Sequence, residues 1–201
     1  MTRQAVAIID SGGANIASLR YALRRIGADS VLTSDPARIR DADRVILPGV
    51  GAAAAAMERL RSTGIDALIG ELTQPVLGIC LGMQLLASAS EEDEATCLGI
   101  IEGTSGKLAA TPETPVPNMG WCPIRCCGSH PLLDGIGSGD YFYFVHSYAL
   151  PVADYTLATA DHGGPFTAIL ARANFVATQF HPERSAVAGS RLLVNFLRLP
   201  A

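Results

Sequence analysis

The residue best placed to do chemistry is Cys80, in Gly78-Ile79-Cys80-Leu81-Gly82, between a short apolar run and a helical pattern. A nucleophile on a sharp strand-to-helix turn stands above the sheet edge, and flanking glycines allow the strained turn and close backbone approach. The thiol then lies at a helix N-terminus, whose dipole favours thiolate, and the N–H of Leu81 points toward a developing oxyanion. A buried structural cysteine beside helix-packing glycines is the alternative. A thiol nucleophile needs a base, and the base an orienting group. Gln179-Phe180-His181-Pro182-Glu183 supplies both at the end of another predicted strand. Pro182 keeps His181 out of the helical region, and Glu183 is close enough to hold the imidazole tautomer. Taken alone, His-Pro-Glu is equally a surface turn. Pro48-Gly49-Val50-Gly51 ends a third predicted strand and suits an oxyanion loop of backbone donors, or an ordinary turn. All three motifs follow strands, and in open α/β sheets sites form beyond the carboxyl ends of strands.

Other reactive side chains read more plainly. Cys122, Cys126, Cys127 and His130 are close in sequence, but they lack the paired spacing of a zinc site, and adjacent cysteines are awkward as two ligands of one tetrahedral ion. Small alternating strand residues explain them, and no metal is expected. His146 sits at a strand end and lacks a following carboxylate, so it lines a pocket rather than acting as the base. His130 and His162 fall in loops and are expected to be solvated. Glu91 reads as a solvated helix end.

These residues must be carried by elements of regular structure. Residues 6–9, 30–32, 44–47 and 76–79 read as strands, the third stopped by Pro48-Gly49. Between them lie helical patterns at 16–26, ended by Gly27, and at 52–60, rich in alanine; a further one follows at 81–87. That alternation predicts an α/β fold with a mainly parallel central sheet and helices on both faces. Residues 141–145, 155–160, 167–171 and 175–179 predict closely spaced strands, read as antiparallel additions in the second half, before a last helix at 189–199. The proline-rich stretch 111–117 reads as a loop rather than a linker, so residues 1–201 are expected to form a single domain.

Composition narrows the function. The chain has 201 residues, 49% of them hydrophobic, enough for one sizeable core. A net charge of -4 and 6% aromatic content argue against nucleic acid and anionic membrane as partners. No apolar stretch is long enough to span a bilayer and no signal peptide is recognisable, so a cytoplasmic protein is expected. Five cysteines, an odd count, argue against a disulfide scaffold.

At this point a family resemblance becomes informative. Residues 78–86, Gly-Ile-Cys-Leu-Gly-Met-Gln-Leu-Leu, with His181 and Glu183, resemble the class I (triad) glutamine amidotransferases. Leu47-Pro48-Gly49-Val50-Gly51, Met119-Gly120-Trp121, Phe144-Val145-His146-Ser147-Tyr148 and the run from Gln179 to Ser185 are similar to one branch, the glutaminase subunits of imidazole glycerol phosphate synthase. The resemblance covers essentially the whole chain. It implies a Cys80-His181-Glu183 triad that hydrolyses glutamine to glutamate and ammonia without a cofactor, with an oxyanion hole from Gly49, Val50 and Leu81. It implies that Gly51, Gln84, Glu92, His146, Ser147 and Tyr148 hold the glutamine. It also implies a heterodimer with a (β/α)8-barrel cyclase subunit in histidine biosynthesis, which Asn15, Trp121, Tyr143 and Arg184 would face. Three segments depart from the pattern: Asp10-Ser11-Gly12-Gly13-Ala14-Asn15 where Asp-Tyr-Gly-x-Gly-Asn is usual, Asn118-Met119-Gly120-Trp121-Cys122 where His-Met-Gly-Trp-Asn is usual, and Arg184 where lysine is common. A glutaminase of another pathway and a non-catalytic regulatory subunit are the competing readings; Met119-Gly120-Trp121 speaks against the first and the intact triad against the second.

Overall fold

The computed structural model of the chain describes residues 5–12 and 16–200. The first half alternates as expected: β1 (Ala5–Ile9), α1 (Ile16–Arg25), β2 (Asp29–Thr33), α2 (Pro36–Arg40), β3 (Arg44–Gly49), α3 (Ala53–Ser62), α4 (Ile65–Glu71), β4 (Val76–Cys80) and α5 (Leu81–Leu85). The second half adds β5 (Ala89–Ser90), β6 (Ala95–Thr96), β7 (Thr104–Lys107), β8 (Asn118–Pro123), β9 (Arg125–Cys126), β10 (Tyr141–His146), β11 (Tyr148–Ala149), β12 (Thr156–Asp161), β13 (Pro165–Arg172), β14 (Phe175–Thr178) and α6 (Ala186–Arg198).

Eight strands form the central sheet in the order β2-β1-β3-β4-β14-β13-β12-β9. From β2 to β14 every neighbouring pair is parallel, and β13, β12 and β9 continue antiparallel. The parallel strands are apolar at consecutive positions because both their faces are covered. Val6 and Ile8 of β1 join one core with Leu19 and Leu23 of α1 and Leu192 and Phe196 of α6. Ala7 and Ile9 join the other, with Ile39 of α2, Met57 and Leu60 of α3, and Leu68 of α4. α1 closes as the sequence suggests: Gly27 has φ 83° and the N–H of Ala28 returns to the carbonyl of Leu23.

Some expectations are corrected. Pro48 does not stop β3, which runs on through Gly49 with Pro48 opposite Ile79 and Gly49 opposite Cys80. Val45 donates to Pro75, on the β4 side. Strand alternation therefore turns the ring of Pro48 toward β1, whose pairing with β3 already ends at Ile8 opposite Ile46, so no ladder bond is lost. Residues 141–146 do not join the central sheet. β10 pairs only with β8, as a separate antiparallel ribbon whose inner residues Phe142 and Phe144 are fully buried. Two short helices, α2 and α4, lie beyond the expected elements, each with its own local start. Asp35 accepts from the N–H of Ala37 and Pro36 occupies the first turn of α2, while α4 follows Gly64 at φ 68°.

Candidate active site

The site gathers at the carboxyl ends of three adjacent parallel strands, β3, β4 and β14. Cys80 ends β4 at φ 53°, ψ -111°, a strained conformation for a residue with a side chain. The surrounding glycines are required by contact. A Cβ on Gly82 would stand 1.8 Å from the carbonyl oxygen of Leu47, and one on Gly49 would stand 2.9 Å from Cβ of Leu81. Gly49 thus serves close approach of β3 to the turn, and Gly51, at φ 91° with open space, supplies the backbone freedom. Leu81 opens α5, and the first N–H groups of a helix have no acceptor within it.

His181 lies just past β14. Its N–H donates to the carbonyl of Tyr143 and its carbonyl accepts from Ser185 Oγ at 2.7 Å. Nδ1 is 2.9 Å from Glu183 Oε1, with side chains only 8% and 5% exposed. Among the described residues, His181 Nε2 and Glu183 Oε2 are buried without a hydrogen-bond partner. Burial alone would lower the His181 pKa; the Cys80 thiol and the Glu183 carboxylate outweigh it and raise it to about 10. The Cys80 thiol itself reaches the carbonyl of Val145 at 3.8 Å.

Beside the thiol opens a cavity of about 290 Å³, lined by Val50, Gly51, Cys80, Leu81, Gln84, Glu92, Val145, His146, Ser147, Tyr148 and His181. Every residue expected to hold glutamine is on this wall. Glu92 also closes the end of α3: its Oε2 accepts the N–H of Ala53 at 2.9 Å, where Ala52 offers no capping side chain. Gln84 Nε2 donates to the carbonyl of Tyr148 at 2.8 Å, and His146 Nδ1 lies 2.9 Å from the same oxygen. Burial is the main cause that lowers the His146 pKa to about 4, so the ring is neutral. A neutral His146, with Nδ1–H given to the Tyr148 carbonyl and Nε2 facing Asn118, fits a pocket wall rather than a base.

The residues expected to face a partner lie outside this cavity. Trp121, Tyr143 and Arg184 share one face: the Arg184 guanidinium stands 4.3 Å over the Tyr143 ring, and the Trp121 ring meets Tyr143 edge-on at 6.1 Å. Asn15 lies outside the described residues. Met119 and Tyr141, 64% and 57% exposed, extend this apolar face along the β8–β10 ribbon. Met119 belongs to the Met119-Gly120-Trp121 motif but is not among the residues expected to face a partner, nor is Tyr141, although alternation along β8 puts Met119 on the same face as Trp121.

Glu91 is, as expected, an exposed helix end, the N-cap of a single 3-10 turn over Glu92–Glu94, and its carboxylate also accepts the N–H of Lys107 at 2.8 Å. His130 Nδ1 accepts from Leu132 N–H, and His162 Nε2 meets the carbonyl of Pro115 at 2.8 Å, so neither ring is simply solvated. Cys122 lies on β8 and Cys126 on β9, and the Cys122 thiol reaches Asn118 Oδ1 at 3.6 Å. Among the described residues, no helix is long and apolar enough to cross a membrane.

An elbow cysteine, a histidine held by a carboxylate and one pocket thus meet at the ends of parallel strands. The family model described as glutamine amidotransferase class-I matches residues 7–199, and the chain belongs to that family. Within it, the chain is 46% identical over 205 residues to the imidazole glycerol phosphate synthase subunit HisH 1 of Vibrio vulnificus (strain YJ016), covering 99% of this chain and 100% of that one. It is 48% identical over 195 residues to the corresponding HisH subunit of Yersinia pestis, covering 96% and 99%. Among solved structures, a glutamine amidotransferase superposes with a TM-score of 0.73 at 19% identity over 96% of each chain. PurLQS from Thermotoga maritima superposes with a TM-score of 0.70 at 16% identity over 98% of each. These structural likenesses carry the fold alone.

Proposed function

We propose that this chain is the glutaminase subunit of an imidazole glycerol phosphate synthase, acting in the cytoplasm in histidine biosynthesis. The observation that carries the reading is the single cavity in which Cys80 and His181 meet Gln84, Glu92 and the 146–148 segment. Cys80, deprotonated by His181, attacks the side-chain carboxamide carbon of glutamine. The oxyanion is held by Leu81 N–H and the 49–51 loop; one such donor contributes roughly 3 kcal/mol, about a hundredfold in rate. His181 Nε2–H protonates the departing ammonia while Glu183 keeps Nδ1–H in place. Water, deprotonated by His181, then cleaves the thioester and releases glutamate. Gly51, Gln84, Glu92, His146, Ser147 and Tyr148 hold the substrate, and the carboxylate of Glu92 suits its ammonium group.

Ammonia passes to a separate (β/α)8-barrel cyclase subunit. The exposed apolar ribbon face with Met119, Trp121, Tyr141 and Tyr143, edged by Arg184, supports docking there. Glutamine hydrolysis without a waiting acceptor is wasteful, so the 49–51 loop completes the oxyanion hole only when the cyclase binds its ligand, a shift between two states that the partner must bind with different affinity. A glutamine-like electrophile tests the reading. Cys80 should be labelled ahead of Cys97, Cys122, Cys126 and Cys127; equal labelling of all five would favour a binding-only subunit.

A further inference from the structure

Gln179 is fully buried and both ends of its carboxamide are engaged. Nε2 lies 3.8 Å from Cys80 Sγ, and Oε1 accepts from Gln84 Nε2 at 3.1 Å. An amide can be turned over without changing shape, so its neighbours must fix its direction. The main-chain carbonyl of Tyr148 can only accept, and it is reached by both Gln84 Nε2 and His146 Nδ1. Gln84 therefore presents its NH2 there, and its second N–H is the one that meets Gln179 Oε1. That leaves the NH2 of Gln179 toward sulfur. Beyond the carbonyl, His146 Nε2 is left as an acceptor for Asn118 Nδ2 at 3.1 Å, and Asn118 Oδ1 accepts the Cys122 thiol. Two departures from the family pattern, Asn118 and Cys122, thus complement each other at the far end of one directed hydrogen-bond chain.

We propose that Gln179 is a donor to the nucleophile: its side-chain N–H, oriented through Gln84 by the Tyr148 carbonyl, holds the Cys80 sulfur in its anionic form before attack. When the thiol proton moves to His181, this hydrogen bond becomes charge-assisted and strengthens. When the S–C bond to the substrate forms, sulfur becomes a weak acceptor and the bond slackens. The donor thus favours thiolate over thiol, and it slightly lowers the intrinsic nucleophilicity of that thiolate. Among the described residues, the other titratable groups around the sulfur are His181 and Glu183 beyond β14, His146 at the end of β10, and Tyr148 and Glu92 on the cavity wall.

The inference rests on Cys80 being the nucleophile, and the test reads the sulfur without substrate. The full chain is alkylated with iodoacetamide across a pH series, and Cys80 modification is followed by peptide mass with the other four cysteines as internal references. In Gln179→Met, which is neutral and of similar length, the midpoint of Cys80 alkylation should rise by about one pH unit. The limiting rate at high pH should be unchanged or somewhat higher, whereas a merely structural role would lower it. Gln84→Met removes the group that orients Gln179 without adding charge, and should raise the midpoint by less. An unchanged or lowered midpoint in Gln179→Met overturns the proposal; if that variant does not fold, Gln84→Met is judged by the same criterion. Glutamate release by the unaltered chain with its cyclase tests the glutaminase reading separately, so a midpoint shift without glutamate release would leave the Gln179 contact standing and remove the activity.

Discussion

His181 is fastened through its backbone to Tyr143, the N–H of one donating to the carbonyl of the other at 3.0 Å, and Ser185 Oγ closes the pair by donating to His181 O and accepting from Tyr143 N. The proposed base is therefore tied to the strand whose outer face carries the aromatic patch proposed for docking. Ser185 is almost wholly buried. Ser185→Ala should cost about 2 kcal/mol, measured by urea unfolding, because two buried hydrogen bonds are lost. In the complex, kcat should fall with little change in KM for glutamine, since the substrate wall is untouched.

Glu92 has two tasks that substitution can separate. It caps α3 through Ala53 N–H and faces the cavity. Glu92→Ala should lose both, with about 1 kcal/mol of stability and a raised KM. Glu92→Gln keeps an oxygen acceptor for the cap, so its unfolding midpoint should stay near that of the parent while KM still rises. Steady-state kinetics beside urea unfolding read both.

The crowding at the elbow gives a stability prediction. Gly82→Ala forces a Cβ against the Leu47 carbonyl, a backbone atom that cannot swing away, and should destabilise by roughly 3 kcal/mol or more. Gly70, exposed on α4, has no atom within 4 Å of an added Cβ. Gly70→Ala should stabilise by about 0.5–1 kcal/mol in the same assay, through helix propensity.

How much of this was legible in the sequence depends on the range of the interaction. Cys80, His181 and Glu183 were readable because each stands in a local motif at a strand end, and parallel β3, β4 and β14 bring those ends together. The apolar runs that fill both cores gave the parallel sheet. The separate β8–β10 ribbon was not legible, because pairing partners on the two strands are separated by a loop and alternation alone does not say which sheet a strand joins. Glu92 was seen only through the family, because the helix end it caps is 39 residues away. Gln179 opens the Gln-Phe-His-Pro-Glu motif, but its role was not legible, because its contacts, Gln84 and Cys80, are 95 and 99 residues distant.

The two site histidines predict opposite pH dependences of stability. His146 is lowered to about 4, so below the unfolded value of 6.5 the unfolded chain takes up a proton that the folded chain refuses. Its contribution is intact above pH 6.5 and is lost as pH falls toward 4. His181 is raised, so its contribution is full below pH 6.5 and is lost as pH rises toward about 10. Urea unfolding across pH should therefore fall less steeply between pH 6.5 and 4 in His146→Gln, and less steeply between pH 6.5 and 10 in His181→Gln, than in the parent.

The most direct test of the central claim is glutamate release by the purified chain, alone and then with a cyclase subunit and that subunit's ligand, with Cys80→Ala as the blank. The account predicts low release alone, a large rise in the complex, none from Cys80→Ala, and loss of the rise in Trp121→Ala. Release at the full rate by the isolated chain would contradict the coupling, and no release in either state would contradict the assignment of this site as a glutaminase.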